Sequence, residues 1–135
     1  LNKVEKFFLS INLVWLLIYG AVFAEHLVNT GYSAWHLTIA HGLTVTTLML
    51  ACAMLLLRIP GLLKALPVMI YSALLAEGFL IMLSVQKLFT LFGVAALIGT
   101  ILFIFCMVGF RGYLKSNDAR LYLGLETVPE SEDQK

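Results

Sequence analysis

Three histidines, His26, His36 and His41, lie within sixteen residues of one another, and Glu25 adjoins the first of them. Imidazole and carboxylate together can ligate zinc, copper, iron or nickel. Facing histidines can hold a haem as axial ligands, and a histidine beside a carboxylate can pass a proton. Further along stands Glu77, an acidic residue deep inside an apolar run. An ionised carboxylate there is expensive unless protein or water meets it, which makes Glu77 the strongest functional candidate. Motifs of the CxxC, HExxH and glycine-rich phosphate-loop kinds are absent from the chain.

The elements that must carry these residues follow from composition. Of 135 residues, 61% are hydrophobic and only 13% charged, and the mean hydropathy is +0.94. A soluble domain is about half apolar and about a quarter charged. The excess cannot be hidden in one small core, so the sequence reads as a polytopic membrane protein with the bilayer as its first partner. A net charge of +1 gives no basis for nucleic-acid binding.

Four apolar runs, at about 7–27, 34–57, 66–86 and 88–112, are each long enough for a helix crossing a ~30 Å hydrocarbon core. Lys3 and Lys6 ahead of the first run resemble the start of a leader peptide, but we read that run as a span. Pro67 suits the first turn of the third helix, and Gln86-Lys87 forms nearly the whole link before the fourth. The predicted fold is all-α: an up-and-down four-helix bundle in residues 1–116, followed by a polar, acidic tail in 117–135. Lys3, Lys6, Arg58, Lys64, Arg111, Lys115 and Arg120 fall on one side of such a bundle, and Lys87 on the other. The positive-inside rule then places both termini in the cytoplasm, or its equivalent in an organelle, with a bacterial or organellar inner membrane as the setting. Trp35 and Tyr32 become belt residues on the outer side and Tyr113 on the inner side.

Polar residues within the spans show which faces meet. Asn12, Tyr19 and His26 recur every seven residues, close to two helical turns, and so form one stripe. Thr38, His41, Thr44 and Cys52 form another on the second span, while Glu77 and Ser84 are seven apart on the third. The fourth span offers Gly93, Ala95, Ala96, Gly99 and Thr100. The pairs Ala95/Gly99 and Gly20/Ala24 suggest close approach of helix backbones. Counting ~1.5 Å of rise per residue from the turns gives two clusters. A buried one joins Tyr19, His41, Thr44 and Glu77, and a shallow one at the outer surface joins Glu25, His26 and His36.

The shallow cluster is the candidate metal site, although Glu25 and His26 point about 100° apart on a helix. Haem held by this chain alone is disfavoured, because His41 has no second histidine at its depth and lies five residues from His36. A haem or quinone shared with a partner subunit remains compatible with His41. No loop is large enough for a soluble catalytic domain, so we expect no catalytic activity from the chain on its own. The expectation is a small accessory subunit of a larger energy-transducing or redox membrane complex, its Tyr–His–Glu cluster serving a proton path, quinone or neighbouring cofactor. The alternative is a small homo-oligomeric proton-coupled transporter or channel, with Glu77 and His41 as the coupling pair.

Overall fold

The computed structural model describes residues 3–30, 35–83 and 91–126. Four long helices, α1 (Lys3–Thr30), α2 (Trp35–Leu57), α3 (Leu62–Leu83) and α4 (Leu91–Leu114), are followed by a short α5 (Asn117–Tyr122). Each of the first four is long and apolar enough to cross a membrane. Successive helices pack side by side, and α4 returns to touch α1, which closes a bundle. This is an all-helical arrangement compatible with a membrane bundle.

The core lies toward the end where α1 begins. There α1 and α4 meet through a staircase of rings: Phe8 against Phe110 and Tyr113, and Trp15 and Tyr19 against Phe103. Leu48, Met54 and Leu55 of α2 and Leu66 and Ile70 of α3 fill the centre behind them. Such rings bury large apolar areas and favour offset or edge geometry.

At this end the structure departs from the sequence reading in three places. Tyr113, expected at the interface, is buried and donates to Oε1 of Glu5 at 2.7 Å. Helix α3 begins at Leu62, so Pro67 sits inside it rather than in its first turn. The early start is supported by backbone bonds from Leu62 to Ile59 and from Leu63 to Pro60, which wind the chain before the proline is reached. The first residues assigned to the polar tail instead form α5. Its Ala119 and the following Leu123 are buried, and the Tyr122 hydroxyl donates to the carbonyl of Leu55. Two apolar residues four apart suffice to dock a short helix whose exposed face stays polar. The rest of the tail lies outside the described residues.

Small residues also behave differently from expectation. A Cβ added at Gly20 or Gly99 would meet nothing within 4 Å, and Ala24, Ala95 and Ala96 are exposed. These positions do not draw backbones together. On α4 they border open space between the helices.

Removing the buried Tyr113 hydroxyl leaves a Glu5 oxygen without its donor. We expect Tyr113→Phe to destabilise the protein by about 1–3 kcal/mol in detergent unfolding, as for other buried groups stripped of a partner. An unchanged midpoint would show that the bond does not hold α1 to α4.

Candidate functional site

Glu77 is the centre of the polar network. It lies in the interior of α3, 4% exposed, where lipid or packed side chains would surround it on every side. Oε1 accepts a hydrogen bond from Oγ1 of Thr44 at 2.8 Å and lies 3.0 Å from Nδ1 of His41. Both partners come from α2 and are three residues apart, so one face of that helix presents them together. His41–Glu77 is the single ion-pair geometry among the described residues, and its side chains are 14% and 5% exposed.

The Thr44 hydroxyl has one proton but two acceptors in reach, Oε1 of Glu77 at 2.8 Å and the carbonyl of Ala40 at 2.9 Å. With Glu77 ionised, the hydroxyl can donate to the carboxylate. With Glu77 protonated, the carboxyl can donate to Oγ1 while the hydroxyl turns to Ala40. Thr44 can therefore solvate either charge state without any backbone movement. At 3.0 Å, Nδ1 and Oε1 are close enough to exchange a proton directly.

Tyr19 completes the group through ring packing, with its centroid 6.1 Å from that of His41. The structure thus brings together Tyr19, His41, Thr44 and Glu77, drawn from three helices.

Glu25, His26 and His36 are not brought together in the same way. Oε1 of Glu25 lies 3.5 Å from Nδ2 of Asn29, one turn along its own helix. Nε2 of His26 lies 3.0 Å from Oγ1 of Thr38, and its ring meets His41 edge-on at 6.4 Å between centroids. His36 is exposed and packs against Trp35. Among the described residues no group of three His, Cys, Asp or Glu side chains is placed to hold a metal ion. The reason is angular: adjacent residues on an intact helix diverge by about 100°. Helix α1 stays regular through both Glu25 and His26. His26 instead meets the His41 ring edge-on and pairs with Thr38 on the neighbouring helix.

A cavity of about 660 Å³ opens beside this network, with walls from all four long helices. Glu25, Tyr19, His41 and Glu77 are its titratable lining residues, and Trp15, Val22, Leu80 and the small residues of α4 from Gly93 to Thr100 are among the others. Its volume falls within the range of about 300–1,000 Å³ typical of small-molecule sites, and its apolar walls with a few convergent polar groups match their chemistry. The glycines and alanines of α4 keep it open, because larger side chains there would fill it.

No protein-family model matches this chain, and neither does any curated protein or solved structure.

Sequence reading missed the second buried carboxylate, Glu5, which is 3% exposed. The signal was present: Glu5 precedes Asn12 by seven residues and so belongs to the stripe that runs on through Tyr19 and His26.

Thr44→Val should destabilise the protein by about 0.6–2 kcal/mol, the range for interhelical hydrogen bonds in membranes. The loss should shrink when Glu77→Leu has already removed the acceptor. Equal losses in both backgrounds, measured by unfolding in mixed micelles, would show that Thr44 acts independently of Glu77.

Proposed function

We propose that this chain is a small integral subunit of a larger energy-transducing or redox assembly, and that its intramembrane cavity takes a quinone-class ring beside a proton-handling His41–Glu77 pair. The observation that carries this reading is the position of that pair on the wall of a largely apolar cavity within the bundle. A quinone ring fits such a space: flat and apolar, with carbonyl oxygens that need a hydrogen-bond partner on one side. When bound, it supplies redox chemistry in which electron uptake is balanced by protons.

The chain's own residues provide the proton side of that balance. His41 uses Nδ1 toward Glu77, and Nε2 makes no hydrogen bond among the described residues. A histidine held in this way can present Nε2–H to a ring oxygen, while Glu77 fixes the tautomer or takes the second proton. Tyr19 limits the space on the α1 side. Among the described residues there is little mass outside the helices, so electrons are expected to come from an unlike partner chain.

Trp15 lines the cavity and Trp35 does not, which supplies a direct readout. In a Trp35→Phe background, a short-tailed benzoquinone should quench Trp15 fluorescence saturably. His41→Ala should weaken that binding at least about tenfold, the loss expected for a hydrogen bond to a polar ligand group. Ala96→Phe, which fills the cavity, should abolish it. Quenching that ignores both substitutions would contradict the proposal. Gentle extraction from the native membrane should recover unlike partner chains, and a pure homo-oligomer would refute the subunit assignment.

A further inference from the structure

The cavity beside Glu77 meets two polar atoms that the chain leaves open. Oε1 of Glu77 is taken by Thr44 and faces Nδ1 of His41, but Oε2 makes no hydrogen bond among the described residues. Nε2 of His41 is in the same position. Neither atom is sealed off. The sealed polar side-chain atoms without a partner, among the described residues, belong to Glu5, Asn12 and Arg111, whereas His41 and Glu77 both line the cavity. Glu77 is 4% exposed, so a buried carboxyl group keeps one oxygen open to this space.

Counting protons fixes what these two atoms can do. A His41–Glu77 pair with no net charge holds two protons on its four nitrogen and oxygen atoms. One of them lies in the 3.0 Å contact between Nδ1 and Oε1. The other sits on Nε2 or on Oε2, never on both. Written as imidazolium with carboxylate or as imidazole with carboxylic acid, the pair therefore turns one donor and one acceptor outward. The uncharged total is favoured because a net charge in a largely apolar cavity is costly. The other titratable groups that line the space are Tyr19 and the exposed Glu25, both from α1, and the lining residues of α4 include none.

We infer that the cavity favours the reduced, hydroquinone form of its ring over the quinone. A ligand that enters displaces water from both outward atoms, and affinity is lost wherever it cannot replace the water's hydrogen bonds. A hydroquinone hydroxyl offers its O–H to whichever atom accepts and its oxygen to the one that donates. A quinone has only carbonyl oxygens. It satisfies the donor and leaves the acceptor stripped of water and unpaired, whichever of the two atoms that is. A reaction that reduces quinones is then the class that must supply this site. This inference rests on the quinone-ring reading of the cavity and adds to it which form of the ring is held.

The test compares three short-tailed ligands built on one ring: a benzoquinone, its hydroquinone, and the hydroquinone dimethyl ether, which has no O–H. Binding to the purified full chain in micelles is measured by equilibrium dialysis without oxygen. Ligand retained with Ala96→Phe, whose cavity is filled, is subtracted as detergent uptake. The hydroquinone should bind at least about tenfold tighter than either of the others, the difference expected when one buried group is paired rather than left bare. Replacing the whole pair, His41→Leu with Glu77→Leu, removes both outward atoms without stranding a partner, and the preference should disappear. The comparison on the wild type stands whether or not that double variant folds. Equal or tighter binding of the quinone would overturn the inference and leave the quinone-ring reading in place, whereas binding of none of the three would overturn both. A dimethyl ether that binds as tightly as the hydroquinone would also overturn the inference. So would a hydroquinone preference that survives in the double variant.

Discussion

A carboxylic acid placed in the middle of an apolar helix dictates much of what surrounds it. Glu77 cannot face lipid without a large penalty, so α3 must turn that face inward and another helix must answer it. Helix α2 does so with two residues three positions apart, Thr44 as a hydroxyl donor and His41 as a titratable partner. That requirement fixes the rotation of both helices. With His41 turned toward Glu77, the next inward-facing positions along α2, Leu48, Ala51 and Leu55, fall into the core. Polar pairing and apolar packing specify the same interface, a consistency between levels that favours one fold over its competitors.

The two ends of the bundle are built differently. Where α1 begins, rings from α1 and α4 stack closely, and Tyr113 ties α4 to Glu5. Toward the other end this packing stops at Tyr19 and Phe103, beyond which α4 presents glycine and alanine. The helices do not close over those small side chains, and the cavity beside Glu77 results. One end is therefore tied by aromatic packing while the other leaves space next to the His41–Glu77 pair. In the functional reading proposed above, the tight end holds the geometry and the open end receives the ligand.

The polar framework was legible in the sequence because apolar surroundings make polar residues conspicuous and directional. A seven-residue stripe on α1 and the depth match between His41 and Glu77 follow from helical geometry alone. Other features were not legible, each for a physical reason. Glycine and alanine at helical spacing read alike whether they bring backbones together or leave a gap, so Gly99 and Ala96 gave no sign of a cavity. Glu5 looked like an ordinary charge at a helix start, since its burial depends on Tyr113, 108 residues away. Helix α5 was hidden because a six-residue segment with Asp118 and Arg120 carries too little apolar signal until Ala119 and Leu123 find a surface. The shallow Glu25, His26 and His36 group shared a depth, but depth alone does not make side chains converge.

The central claim is that Glu77 and His41 form one proton-handling unit coupled to the cavity beside them. Infrared difference spectroscopy of the carboxyl stretch, recorded as a short-tailed benzoquinone is added to the purified protein, addresses it most directly. The account predicts a ligand-induced change in a carboxyl band that is absent in Glu77→Gln and altered in position or amplitude in His41→Ala. A carboxyl spectrum unmoved by saturating ligand, or a change that persists in Glu77→Gln, would contradict it and leave Glu77 as a structural tie between α2 and α3.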